Sequence, residues 1–340
     1  MSISLRVAFQ MDPMDAVDID ADSTFRIALE AQGRGHRLFF YTPEHLAYRE
    51  GRVTAHGHEI VLRRVRGDHM DAGSGIEIDL EKWDVVWLRQ DPPFDMGYIT
   101  TTHLLDLLKS PTLVVNDPFW VRNYPEKLLV LRFPELIPPT TIARSLRCLR
   151  EFKDAHGDII IKPLYGNGGI GVLRLGPNDG NLTALHEFFV SVSREPLIAQ
   201  KFLPSVTEGD KRIILVEGKP VGAINRLPQP GEIRSNMHVG GQASKTTLTD
   251  REREICSVIG PTLRKTGQIF VGIDVIGGHL TEINLTSPTG IQEIERLDGT
   301  NVAALIWEAI EAKFDRSPKS NQASDMDDAS SDVIDIRQGD

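Results

Sequence analysis

Two cysteines, Cys148 and Cys256, are the only thiols in 340 residues, and they form no CxxC pair. That leaves no material for a disulfide framework, and it predicts reduced structural thiols in a cytoplasmic protein. No apolar run approaches the roughly 18–20 residues that a membrane span needs. The opening MSISLRVAFQMDP carries neither a basic leader nor a small-residue cleavage site. Positive charge is also short: 38 Lys and Arg face 48 Asp and Glu, for a net charge of −10. That balance disfavours nucleic-acid binding, so an anionic substrate must be held by local Arg and Lys. The ten histidines are scattered. His56 and His58 fall in a polar stretch that reads as a surface turn and not as a metal site. There is no internal repeat and no triad-like spacing of Ser or Cys with His.

What is present alternates strands with helices. Residues 5–11 read as a strand. Residues 23–34 read as a helix, with Phe25, Ala28, Leu29 and Gln32 at helical spacing and Asp22 or Ser23 as N-cap. Residues 37–41 form a second strand, followed by a Gly-rich, poorly periodic region to about Glu81. A buried strand at 83–89, a helix near 98–109 and a strand at 112–115 complete an α/β layer on a largely parallel sheet. Beyond it, helices are expected from Pro125 through Leu131 and at 144–156, 182–192, 249–266 and 300–314. Hairpins turn at Glu217-Gly218-Lys219 and at Gly277-Gly278. From Ser317 onward, six Asp and five Ser against Lys319 and Arg337 predict a disordered acidic tail, relieved only by the island VIDI. The expected division is therefore 1–121, 122–201, 202–316 and a tail at 317–340.

The stretch KPLYGNGGIGVLRL, residues 162–175, fits GxGxxG through Gly166, Gly168 and Gly171. A dinucleotide fingerprint must open a helix after the loop. Here β-branched DIIIKP precedes and GVLRLG follows, which suits strand, glycine loop, strand. A P-loop would need Lys and then Ser or Thr where Val172 and Leu173 stand. The loop therefore reads as a flap over a nucleotide, with a ligand-free glycine turn as the alternative.

Charged residues gather in the second half. Asp274 lies on one strand of the hairpin at Gly277-Gly278, where it should face residue 281 or 282. Glu282 and Asn284, two apart, share a face of the other strand. Two carboxylates and an amide oxygen on one apolar-flanked face suit Mg²⁺ carrying ATP phosphates; polar residues turned to water are the alternative. Lys162 before the glycine loop and Lys127 in a first helical turn can neutralise phosphate oxygens. Arg212 and Arg226 lie on strands of one hairpin and Arg234 in the loop after it, with forks suited to carboxylate or phosphate. Arg89 ends a strand and Asp91 follows, where open α/β sheets bind ligands, unless the two simply form a structural pair.

These motifs form an ordered series: VAFQMDP, LRQDPPFD, VVNDP, EKL, IIIKPLYGNGGIGV, QKFLP, GDKRIILVEGKPV, RSNMHVGG and GPTLRKTGQIFVGIDVIGGHLTEINLTSPTGIQEIE. The series, spanning roughly residues 4–314, resembles bacterial glutathione synthetases of the ATP-grasp superfamily. The resemblance implies an α/β (overall α+β) ATP-grasp fold, in which ATP lies between two small antiparallel sheets, behind an N-terminal Rossmann-like pre-ATP-grasp domain. It implies ATP contacts at Lys127, Lys162, the loop Gly166, Asn167, Gly168, Gly169, Ile170 and Gly171, the adenine-side Gln200, Lys201, Phe202 and Leu203, and Asp210. It also implies catalytic roles for Arg212 and Arg226. It further implies substrate contacts at Arg89, Asp91, Arg234, Ser287, Pro288 and Thr289, and Mg²⁺ held by Asp274, Glu282 and Asn284, with Mn²⁺ as an alternative.

The implied reaction joins γ-glutamylcysteine to glycine through an acyl phosphate, in a cytoplasmic homotetramer or homodimer with no nucleic-acid or membrane partner. Where the family's loop often reads GGR, this chain has Gly240-Gly241-Gln242, which removes an arginine that could contact an anion. Another ATP-grasp carboxylate–amine ligase, or a catalytically silent nucleotide-binding regulator, would share the ATP residues. The intact set of Asp274, Glu282 and Asn284 argues against silence.

Overall fold

The computed structural model describes residues 3–237 and 240–315; the expected acidic tail lies outside them. The first sheet runs β3-β4-β2-β1-β7-β8, from β1 (Arg6–Met11), β2 (Arg37–Tyr41), β3 (Leu46–Arg49), β4 (Arg52–Leu62), β7 (Val85–Arg89) and β8 (Leu113–Val115). Two further strands, β5 (Met70–Ala72) and β6 (Ile76–Asp79), pair with β4. The pairs β1–β2, β1–β7 and β7–β8 are parallel. Being covered on both faces, these strands are almost continuously apolar. Helix α1 (Ser23–Gly33) begins where Asp22 Oδ1 accepts the Phe25 N–H at 2.6 Å. Helix α2 (Met96–Leu105) starts in the same way on Asp95.

The region read as poorly periodic between residues 42 and 81 is instead the antiparallel half of this sheet, from β3 to β6. Its period is hidden because β4 changes partners midway. Residues 52–57 pair with β3 and β6, whereas 58–62 pair with β2 and β5. Gly57 sits at the crossover, where a Cβ would lie 2.1 Å from the Phe40 carbonyl oxygen, so only glycine lets the strands approach. His56 and His58 therefore stand on a strand, not in a turn.

Helix α3 (Pro118–Asn123), which the sequence reading missed, and a short α4 (Glu126–Leu129) lead onward. The helix expected through Leu131 gives way at Val130 to a 3-10 turn. A second sheet, ordered β11-β10-β12-β9, combines β9 (Thr140–Ala143), β10 (Ile159–Pro163), β11 (Leu173–Leu175) and β12 (Leu197–Lys201), with α5 (Leu146–His156) and α6 (Leu182–Val192). The glycine loop joins β10 to β11 as the expected hairpin. This layer has its own core, including Leu149, Ile159, Ile161, Leu175 and Phe189.

The third sheet, β15-β14-β13-β16-β17, is built from β13 (Asp210–Val216), β14 (Lys219–Leu227), β15 (Gln242–Lys245), β16 (Phe270–Ile276) and β17 (His279–Asn284). Helix α7 (Asp250–Lys265) opens with a capping box between Thr249 and Glu252. Helix α8 (Ile291–Asp298) was also missed, and α9 (Val302–Asp315) follows it. Its Trp307 Nε1 donates to the Ile27 carbonyl of α1 at 2.8 Å. Side chains of the first and third sheets share continuous cores, one joining Phe9, Trp87, Ile214, Phe270 and Trp307.

Where α9 meets the first sheet, the buried His36 accepts the Leu5 N–H at Nδ1 (3.3 Å) and sets Nε2 3.1 Å from Glu311 Oε1. Burial lowers its pKa against the opposing pull of Glu311. The unfolded chain therefore binds more protons at this position, and stability falls as pH drops below about 6.5. The melting temperature of wild type is expected to decline more steeply from pH 7 to 5.5 than that of His36→Gln. Parallel slopes for the two proteins would dismiss His36 as the source.

Candidate active site

The register of β16 and β17 sets Asp274 opposite Glu282, with a bulge just beyond Asp274. Two arginines converge on Asp274. Arg212 grips it with Nε at 2.6 Å from Oδ1 and Nη2 at 3.1 Å from Oδ2, and Arg226 Nη2 lies 3.0 Å from Oδ1. Burial alone would raise the Asp274 carboxyl, but the Arg212 and Arg226 guanidiniums overcome it and hold the group far below the carboxylate range. Arg226 also donates to Asp210 Oδ2 at 2.5 Å, where Ser235 Oγ donates as well at 3.0 Å. Burial pushes Asp210 up to about 6, opposed by Arg226.

A second charge cluster lies beside the first. Glu282 Oε1 is 3.3 Å from Lys162 Nζ and 3.6 Å from Lys127 Nζ. Burial opposes ionisation of Glu282, yet Lys127 and Lys162 bring its pKa below the usual value. Lys127 also donates to the Gly166 carbonyl at 2.6 Å and to Glu126, so it ties α4 to the glycine loop.

Both clusters open into one cavity of about 890 Å³, enclosed by the second and third sheets and the ends of β1 and β7. Of the residues expected to contact ATP, substrate or metal or to act in catalysis, all line it except Gly171. Gly171 is turned back against Pro163, where a Cβ would sit 2.9 Å from Cγ, so it shapes the loop without facing the ligand space. Gln200, Lys201, Phe202 and Leu203 line the side formed by β12. Gln200 is fixed by donation to Thr140 Oγ1 at 3.0 Å, and Arg174 stacks 3.9 Å above the Phe202 ring.

At the first sheet, Arg89 does not pair with Asp91. Its Nε donates to Thr24 Oγ1 at 2.9 Å and its Nη2 to the Pro288 carbonyl at 3.2 Å, while the Asp91 N–H goes to Asp12. Arg212 Nη1 donates to the neighbouring Thr289 carbonyl at 3.2 Å. The loop carrying Ser287, Pro288 and Thr289 is thus strung between two arginines. Arg234 is held by Glu232 at 2.6 Å.

Sequence reasoning missed Glu126, Thr24, Asp22, Ser235, Asn236 and Glu293, all of which line the cavity. Glu126 had a signal, since it adjoins Lys127 in EKL. Ser235 and Asn236 in RSNMHVGG and Glu293 in the closing IQEIE also lay within quoted motifs, whereas Thr24 and Asp22 show no such signal until the chain is folded.

The loop from residue 164 to 172 carries positive φ at Gly168 (59°) and Gly169 (81°), which only glycine adopts freely. A Cβ on Gly169 would come within 3.1 Å of Asn236 Oδ1, so this loop abuts the one after β14. Amides 165–172 are expected to gain hydrogen-exchange protection when a non-hydrolysable ATP analogue and Mg²⁺ are added, because phosphate–N–H contacts select one backbone state. Equal protection with and without nucleotide would make the loop a permanent wall.

Among the described residues no group of three or more His, Cys, Asp and Glu could hold a metal alone. Asp274, Glu282 and Asn284 instead offer two carboxylates and an amide. That donor set fits a divalent cation arriving with a nucleotide. In the structure Asn284 turns Nδ2 toward Asp274 Oδ2 at 3.5 Å. Reversing the amide would present its oxygen on that face instead.

Comparison with known proteins agrees with this geometry. The prokaryotic glutathione synthetase ATP-grasp domain model matches residues 126–299, and the N-terminal domain model of the same family matches 5–122. A glutathione synthetase of Brucella melitensis is 57% identical over 311 residues, covering 92% of this chain and 100% of the relative. One from Agrobacterium fabrum is 54% identical, covering 91% and 97%. In fold, the chain is similar to the D-cycloserine synthetase DcsG (TM-score 0.64, 14% identity, 90% of this chain and 99% of that one). It is also similar to the ATP-grasp ligase PsnB with a minimal precursor (TM-score 0.61, 15% identity, 92% and 100%).

Two facing antiparallel sheets, a glycine hairpin over the cleft and a cation-lined carboxylate face define an ATP-dependent ligase of the ATP-grasp class. Within that class, the chain belongs to the prokaryotic glutathione synthetase family. No helix among the described residues is long and apolar enough to cross a membrane.

Proposed function

We propose that this cavity ligates γ-glutamylcysteine to glycine, forming glutathione and releasing ADP and phosphate. One observation carries the reading: a single cavity holds the lysine pair on Glu282, the arginine pair on Asp274 and, at its far side, the separate buried cation Arg89. A phosphoryl donor and a carboxylate acceptor thus have distinct cationic seats in one enclosure.

In this reading Lys127 and Lys162 hold ATP phosphates, Gln200, Lys201, Phe202 and Leu203 hold the adenine, and Asp210 belongs to the nucleotide side. The cysteinyl carboxylate attacks the γ-phosphorus and ADP leaves. Glycine's amine then attacks the acyl carbon, and phosphate leaves from the tetrahedral intermediate. Arg212 and Arg226 face the charge that develops on the transferring phosphoryl group and the oxyanion. Arg89, Asp91, Arg234, Ser287, Pro288 and Thr289 orient the peptide. Mg²⁺ (or Mn²⁺) held by Asp274, Glu282 and Asn284 supplies Lewis-acid neutralisation of phosphate charge. The glycine loop, with Gly166, Asn167, Gly168, Gly169 and Ile170 at the cavity, keeps water from the acyl phosphate.

The reading also takes 1–121, 122–201 and 202–316 as N-terminal, central and C-terminal domains of a cytoplasmic homodimer or homotetramer. ADP release across a substrate panel tests the chemistry. Release should require γ-glutamylcysteine and glycine together. Equal release with other acceptor peptides or amines would point to a different carboxylate–amine ligase, and none with any pair to a silent nucleotide binder.

A further inference from the structure

The second sheet keeps its own core, and its glycine loop is tied to the rest of the chain at three points. Lys127 takes the Gly166 carbonyl at 2.6 Å, which fastens the loop to α4. Gly169 abuts Asn236 in the segment after β14. The third tie reaches the first sheet. Tyr165 stacks on Phe94 of the loop after β7, with ring centroids 5.9 Å apart and planes 24° from parallel. Offset-stacked rings attract at that separation.

The two rings are held very differently. Phe94 is a fixed platform. Pro92 and Pro93 restrict the backbone before it, and its ring lies 5.2 Å from that of the fully buried Tyr98. Asp95 Oδ1 accepts the Tyr98 N–H at 3.0 Å, and Phe94 packs against the core shared by the first and third sheets. Tyr165 is 36% exposed, so it is no core residue of the second sheet. Glycines at 166, 168, 169 and 171 follow it and let its backbone take several states. Neither ring lines the cavity, although Pro92 and Gly166 close by in the chain do. The pair therefore does not serve ligand contact. What it can set is how often the glycine loop lies against the rim that carries Arg89 and Asp91.

We propose that Phe94 and Tyr165 are positioning residues, an aromatic clasp that holds the glycine loop on the loop after β7 and so couples ATP cleavage to ligation. This rests on the ligase reading above and adds to it what shuts the peptide side of the cavity. With the clasp open, water attacks the acyl carbon of the acyl phosphate and the bond from that carbon to the phosphate oxygen breaks. Carboxylate, free phosphate and a proton result, and ATP is consumed without product. Because one ring sits on each side, breaking the stack from either side has the same effect.

The test measures ADP and glutathione together in wild type, Tyr165→Ala, Phe94→Leu and the double variant. ADP released in excess of glutathione should rise by roughly 2–10-fold in each single variant, the population shift that one aromatic pair supplies. The KM of ATP should stay nearly unchanged. The double variant should add nothing further, since either change removes the same contact. Tyr165→Phe, which keeps the ring, should match wild type, and Phe94→Leu keeps an apolar side chain against Tyr98. Hydrogen exchange with a non-hydrolysable ATP analogue and Mg²⁺ gives a readout that does not depend on ligation. Amides 165–172 should exchange faster in Phe94→Leu by a similar factor, although the change lies in another sheet's loop. Unchanged excess ADP or unchanged exchange in the single variants would overturn the proposal. So would additive effects in the double variant, or a Tyr165→Phe enzyme as wasteful as Tyr165→Ala. A wild type that forms no glutathione would overturn the ligase reading instead, and the exchange of amides 165–172 in Phe94→Leu then decides the clasp on its own.

Discussion

Glu282→Ala is expected to lower ligation by on the order of 10²–10³-fold, the cost of removing one preorganised electrostatic contact from an active site. The loss has two sources. The site forfeits one of two carboxylates on the hairpin face, and Lys127 and Lys162 lose the acceptor they share at 3.6 and 3.3 Å. Both lysines are buried, so without Glu282 they repel each other and misplace the phosphates. Glu282→Gln keeps the shape and should be nearly as inactive, which assigns the effect to charge. Steady-state rates across a Mg²⁺ titration check this, and near-normal turnover at limiting Mg²⁺ would remove Glu282 from the ligand set.

Asp274→Asn should cost both stability and rate. Removing one partner of a buried ion pair typically costs about 3–5 kcal/mol, because the other charge stays desolvated. Here two guanidiniums depend on one carboxylate. Arg226 retains Asp210, but Arg212 keeps only the Thr289 carbonyl. Chemical denaturation should show a loss of that size, with ligation at least 10²-fold down by order of magnitude. ATP and Mg²⁺ should restore less of the lost stability in this variant than they add to wild type, since phosphate can reach the arginines but the metal side stays deficient. A variant as stable as wild type would mean that water reaches the pair.

The parts of the site written in local pattern were legible beforehand. A strand, four glycines and a second strand specify the loop hairpin whatever surrounds it. Period-2 spacing about Gly277-Gly278 brings Asp274 to residue 281 or 282, and the bulge just beyond Asp274 settles the pairing on Glu282. Opposite cases depend on partners far along the chain. β4 looked irregular because Gly57 lets one strand serve two sets of neighbours. Thr24 is an ordinary helix residue in sequence and Glu293 falls in a helix that was not foreseen, and the packing of α8 against the start of α1 brings both to the cavity. Gly171 shows the converse error. Membership in a glycine pattern says that the backbone must bend, not that it faces the ligand.

The separate core beneath the second sheet has a thermodynamic consequence. Its buried side chains, from Leu149 to Ala199, do not merge with the cores shared by the first and third sheets. Cooperativity follows shared burial, so residues 140–201 constitute a foldon of their own, with a smaller apolar reserve than the rest of the chain. Its amides should exchange through a lower-energy opening than those of β1, β13 or β16. The sheet that carries the glycine loop is thereby the part that the molecule can loosen without melting the rest.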